Sequence, residues 1–177
     1  MHIDIKKSLN LLNYYLSQKG QRRNFVICGG AALVLQGVEG RGTVDVDIVG
    51  PEMDQVLKDA ADSVAHDLGF DSDWLNDDVR KIFAKDLPKN WEARAFEIYL
   101  ESHLVIKSLS KLDFALLKFL AECDRQKDLQ DLVDLNLSES EIDKVVKHAL
   151  SRDPGSNNWP QVVAEVQAKL RRKLRYE

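Results

Sequence analysis

Asp45 and Asp47 stand two apart in Thr43-Val-Asp-Val-Asp-Ile-Val49, a strict alternation of polar and apolar residues. The alternation predicts a strand over 43–49, with Val44, Val46 and Ile48 on the core face and Thr43, Asp45 and Asp47 on the other. Residues two apart on one strand face lie roughly 6.5–7 Å apart at Cα, so two carboxylates there can share or bridge divalent ions. Without a cation they repel one another. Mg²⁺, or Mn²⁺ in its place, takes a few carboxylates together with waters and phosphate oxygens, and a pair of such ions stabilises the attacking and leaving oxygens of a displacement at phosphorus. Upstream, Phe25-Val-Ile-Cys28 reads as a short buried strand that ends at Gly29-Gly30. Glycines at that point let a phosphate approach the backbone amides with no Cβ in the way. Residues 31–36 read as a helix whose first N–H groups favour an anion. Arg41 is placed to clamp a phosphate.

Strand, Gly-Gly, helix and Arg-x-Thr-x-Asp-x-Asp, in this order and face parity, resemble the signature of the polymerase-β-like nucleotidyltransferase superfamily. The chain is also similar to small bacterial nucleotidyltransferase-like proteins related to the AbiEii toxins of abortive-infection systems; Gly29, Gly30, Ala32, Arg41, Thr43, Asp45 and Asp47 meet their pattern. Trp74-Leu-Asn-Asp77, and a lysine-bearing apolar helix followed by Arg125-x-Lys-Asp-x-x-Asp131, extend the resemblance to about Leu135. It implies a mixed α/β sheet flanked by helices and transfer of a nucleoside monophosphate from an NTP to an acceptor, whether tRNA, protein or small molecule. The divalent ions would sit on Asp45 and Asp47, and the nucleotide would meet Gly29, Gly30, Arg41 and Thr43. Lys118 and Asp128, with Asp131 as companion, correspond to functional residues of the toxins, and a cognate antitoxin is the implied partner.

A third carboxylate usually completes the superfamily's site, and two positions compete for that place. Glu97 lies on the polar face of an alternating stretch over 95–100, and Asp77 closes the Leu-Asn-Asp segment. Should neither reach the site, the alternative is a catalytically degenerate fold that acts as a nucleotide-binding or regulatory module. Lys118 has a local reading as well, as a side chain snorkelling from an apolar helix to water. Lys127, Asp128 and Asp131 would then form a helix-surface charge pattern.

The elements that must hold these groups in place read as α/β at first and helical afterwards. Ile5, Leu9, Leu12 and Leu16 mark an amphipathic first helix. Pro51 is placed to open a helix carrying Val56, Leu57, Ala60, Ala61, Val64 and Leu68, which Gly69 closes. Residues 95–109 read as a hairpin that turns at Glu101-Ser-His103, which makes His103 a turn residue. Ser110 caps the helix of Leu112, Leu116, Phe119, Leu120 and Cys123, and Ser138 with Glu141 forms a capping box. Pro160 opens a last helix with Val163, Val166, Leu170 and Leu174 on one side. The pattern divides into a nucleotidyltransferase-like core over 1–108 and a helical part over 109–177.

Composition bounds the partners. A net charge of −4 excludes a generic polyanion binder, so any nucleic-acid contact has to use a local patch. The one concentrated basic run is Lys169-Leu-Arg-Arg-Lys-Leu-Arg175, which suits a phosphate backbone but also suits the negative end of a helix dipole. Cys28 and Cys123 lie in apolar segments as reduced core residues, no zinc-ligand spacing is present, and neither a signal core nor a membrane-length apolar run occurs. These features predict a cytoplasmic protein.

Overall fold

The computed structural model describes residues 2–38 and 42–176. The chain divides into two compact units, Met1–Lys85 with Glu92–Leu109, and Asp86–Trp91 with Ser110–Glu177.

The first unit is built on a five-stranded mixed sheet. Its strands are β1 (Arg23–Cys28), β2 (Val46–Gly50), β3 (Leu75–Asn76), β4 (Phe96–Leu100) and β5 (Leu104–Ser108), in the order β3-β2-β1-β5-β4. β1 runs antiparallel to β2 and parallel to β5; β2 and β3 are parallel, and β4 and β5 form the antiparallel hairpin. Helix α1 (Ile5–Gln18) is capped by Asp4, which accepts from Lys7 N–H at 3.1 Å, and buries Ile5, Leu9, Leu12 and Leu16. Helix α3 (Gln55–Leu68) starts on the Asp54 cap rather than at Pro51, because the Asp54 carboxylate accepts from Leu57 N–H at 2.9 Å. It closes at Gly69, whose φ of 69° only glycine adopts cheaply. Both helices share one apolar cluster with Phe25, Ile27, Val46, Ile48, Leu104 and Ile106. Trp74, 1 % exposed in the same cluster, donates its indole N–H to Ala61 O at 2.9 Å. Helices α2 (Gly29–Leu35) and α4 (Asp78–Phe83) complete the unit.

Two strands depart from the sequence pattern. β2 begins at Val46, not Thr43, and Val44 is 55 % exposed instead of core-facing. The reason is local: the Thr43 hydroxyl lies 3.0 Å from Asp45 O and 3.2 Å from Asp45 Oδ1, folding the backbone back on itself before pairing starts. In β4 the register shifts between Glu97 and Tyr99, and Phe96 and Leu100 are exposed. An irregularity of this kind breaks the period of two, so the alternation of 95–100 does not translate into one buried face.

The second unit holds α5 (Lys111–Arg125), α6 (Leu129–Asp134), α7 (Glu139–Leu150) and α8 (Trp159–Tyr176). Ser110 caps α5, and the predicted capping box of Ser138 and Glu141 opens α7. Leu116, Phe119, Leu120, Leu132, Ile142, Val145, Val163, Val166 and Leu170 form its core. Arg152 ties the segment around Asp86 to this bundle: it pairs with Asp86 at 3.2 Å and Asp124 at 3.0 Å and lies 5.2 Å from the Trp159 ring.

Leu12 is fully buried at the centre of the first core, so Leu12→Ala should cost about 3 kcal/mol. Tyr14→Ala on the exposed side of the same helix should cost under about 0.5 kcal/mol. Urea unfolding of both variants checks the contrast.

Candidate active site

Helix α2 starts at Gly29 itself, so the glycine pair forms the first helical turn rather than a turn ahead of it. Cys28 precedes it in an extended conformation and caps it without a side-chain hydrogen bond. Gly29 has φ +75°, and a Cβ there would lie 2.9 Å from Asp47 Oδ2. A Cβ on Gly30 would lie 3.0 Å from Thr43 Oγ1 and 3.1 Å from Thr43 Cβ. The two halves of the sequence motif are therefore in direct contact, and a side chain at either glycine would crowd it. Asp47 pairs in register with Cys28 on β1 and with Asn76 on β3, while Thr43 is buried and braces Asp45. Asp45 and Asp47 are both partly exposed.

A further support of this loop carries no signal in the sequence. Ile3 N–H donates to Thr43 O at 2.9 Å. His2 packs so closely on Gly42 that no Cβ fits there. The N-terminal segment thus straps the chain that leads into the two carboxylates. Arg41 lies outside the described residues.

The rivals for the third carboxylate are placed differently. Asp77 follows Asn76, the in-register neighbour of Asp47, but lies beyond the end of β3 as the N-cap residue of α4. Its buried carboxylate accepts from Met53 N–H at 3.3 Å and pairs with Lys81 at 3.0 Å and Arg80 at 3.5 Å. Burial alone would push its pKa up, but these hydrogen bonds and the two cations hold it below the usual carboxylate range. Glu97 is exposed on the edge strand opposite Lys107, and β1 and β5 lie between β4 and β2. Three strand spacings amount to roughly 14 Å, so the fold does not bring Glu97 to Asp47.

Within the second unit, Lys118 does not snorkel to water. Its ammonium lies 2.8 Å from Asp128 Oδ1 and 2.6 Å from Asp131 Oδ2, with the side chain 16 % exposed. Arg125 adds contacts to Asp128 at 2.8 and 3.1 Å, and Asp128 N–H donates to the buried Glu122 carboxylate at 2.8 Å. Burial opposes charge on both partners. The hydrogen bonds from Arg125 and Lys118 outweigh it and lower the Asp128 pKa, and those to Asp128 and Asp131 raise that of Lys118.

Chemically, Asp45 and Asp47 offer hard oxygen donors beside a glycine cradle, a set that suits Mg²⁺ or Mn²⁺ completed by water and phosphate oxygens. Among the described residues no group of three or more His, Cys, Asp or Glu is placed to hold a metal ion. The chain belongs to the family described as nucleotidyltransferase of unknown function (DUF6036), whose model matches residues 4–157. No curated protein and no solved structure matches it. Among the described residues no helix is long and apolar enough to cross a membrane.

Gly29→Ala forces a left-handed alanine against Asp47 and should cost about 1–2 kcal/mol in urea unfolding. Because the Asp128 pKa is lowered on folding, its ion pairs stabilise the protein above the ordinary carboxylate pKa of about 4. That stability is lost as pH falls below this value through the depressed one. Asp128→Asn should cost about 2–3 kcal/mol at neutral pH and flatten the acid limb of a stability-against-pH profile.

Proposed function

We propose that this chain moves a nucleoside monophosphate from an NTP to an acceptor hydroxyl, with Asp45 and Asp47 as the metal-holding residues. The acceptor oxygen forms a bond to the α-phosphorus as the bond to the bridging oxygen breaks; pyrophosphate leaves, and the hydroxyl proton passes to solvent. The observation that carries this reading is the contact of Gly29 with Asp47 and of Gly30 with Thr43, which sets a side-chain-free cradle against Asp47 and the loop that carries Asp45. A bound Mg²⁺ or Mn²⁺ supplies neutralisation of the phosphate charge. Gly29 and Gly30 leave their backbone open to phosphate oxygens, and Thr43 orients Asp45 through its hydroxyl. Membership of a nucleotidyltransferase family supports the reaction class. A toxin-like role with a cognate antitoxin belongs to the same proposal and is supported by the motif resemblance alone.

A second reading is favoured by the positions of Asp77 and Glu97. With Asp77 held by Met53, Arg80 and Lys81, and Glu97 on the far edge strand, the site works with two carboxylates. A module that binds metal and nucleotide without turning them over would need no more.

Calorimetric titration of each NTP with Mg²⁺, with released pyrophosphate assayed in the same samples, separates the two. Wild type should bind in a Mg²⁺-dependent way and release pyrophosphate in the presence of an acceptor extract. Asp45→Asn/Asp47→Asn should lower the rate at least about a hundredfold. Binding without pyrophosphate selects the second reading, and full activity in the double variant refutes the assignment of these carboxylates.

A further inference from the structure

Helix α8 lies beyond the residues matched by the family model, and its sides differ in character. Val163, Val166 and Leu170 are buried in the core of the second unit. On the adjoining flank, Ala164, Gln167, Ala168, Arg171, Arg172 and Arg175 line an open cavity of about 670 Å³. Their spacing of three and four residues makes them one continuous stripe along the helix. We propose that this stripe is a docking groove for single-stranded nucleic acid, held through its phosphodiester backbone.

Charge and shape both point to that occupant. A guanidinium presents a fork of donors that matches phosphate oxygens, and the groove carries three of them. Arg172 is exposed and has no ionic partner among the described residues. Arg171 pairs with Glu139 at 2.8 Å and Asp143 at 2.7 Å, and Arg175 with Glu139 at 3.5 Å. Those acids are more than half exposed, so the pairs contribute about 0–1 kcal/mol each and a phosphate can displace them. Protein interfaces anchor on large buried side chains, whereas the apolar residues among the described lining of this groove are Ala164 and Ala168. Small residues let a sugar-phosphate chain come close to the helix. Among the described side chains no aromatic lines it, so binding should read phosphates rather than bases and should weaken steeply with salt. From 164 to 175 the stripe covers roughly 16 Å of helix, a length that a flexible single strand can follow.

Fluorescence anisotropy of a labelled oligouridine about fifteen nucleotides long, titrated with the full chain from about 50 to 200 mM salt, tests the assignment. Arg172→Ala should reduce the slope of log K against log salt by about 0.7, and Arg171→Ala/Arg172→Ala/Arg175→Ala by about 2, with at least about tenfold weaker binding. A thermal melt monitors the fold of the triple variant. Where it fails, Arg172→Glu gives the same reading from a position with no ionic partner to lose among the described residues. Lys169→Ala/Lys173→Ala, on the other side of the helix, should leave affinity within about twofold. Asp45→Asn/Asp47→Asn should bind as wild type, which keeps this result separate from the fate of the transferase reading. Absence of wild-type binding, an unchanged slope in the triple variant, or an equal loss in the lysine variant overturns the groove. Displacement of the oligouridine by polyglutamate at equal charge would assign it to an acidic protein instead.

Discussion

A Cβ on Gly29 would lie 2.9 Å from Asp47 and one on Gly30 3.0 Å from Thr43, so the glycine turn and the loop that leads into β2 pack in direct contact. A φ of +75° at Gly29 turns the chain out of β1 and straight into α2. Pairing of Cys28 with Asp47 then places the carboxylate beside that turn. The strands beneath the contact are held by apolar burial. Ile27, Val46 and Ile48 are buried against α1 and α3, and each fully buried branched side chain contributes about 1.5–3 kcal/mol. The strap of His2 and Ile3 across Gly42 and Thr43 holds the remaining free side of the loop.

The two groups of acids that stand out chemically have opposite electrostatic character. Asp128 is buried and neutralised from within the protein by Lys118 and Arg125, with Glu122 accepting from its backbone N–H. Desolvating such a cluster costs several kcal/mol per ion, and the interactions recover it only when all partners are present. Its physical effect is to specify one geometry for the join between α5 and α6, where Gln126 adopts φ 55°. Asp45 and Asp47 remain partly exposed, so solvent reaches their carboxylates. The same residue type is thus dry and ion-paired in one unit and partly solvated in the other.

Much of the fold was legible from neighbours in sequence. The apolar stripes of α1, α5 and α8, the caps at Ser110 and Ser138, the stop at Gly69 and the hairpin turn at Glu101-Ser-His103 all follow from local period and local hydrogen bonding, which need no knowledge of the rest of the chain. The pairing of Gly-Gly with Asp-x-Asp was legible too, because face parity and order are properties of the sequence. Less legible were features that local patterns misstate. Val44 alternates like a core residue yet is exposed, since the Thr43 hydroxyl captures Asp45 before the strand begins. Glu97 alternates like a site residue yet lies on the edge strand beside an irregularity.

By itself, then, the sequence determined the apolar stripes of the long helices, several of their caps, and the order of the Gly-Gly and Asp-x-Asp segments, because these depend on contacts a few residues apart. Tertiary structure alone decided the strand order, and with it the roughly 14 Å between Glu97 and Asp47. It also decided the capture of Asp77 by Met53, Arg80 and Lys81, the burial of Lys118 between Asp128 and Asp131, and the strap of Ile3 on Thr43. Of these, the strand order and the contacts of Met53 and Ile3 join segments far apart in the chain, and all of them turn on which side chains the folded packing leaves dry. No local period encodes either.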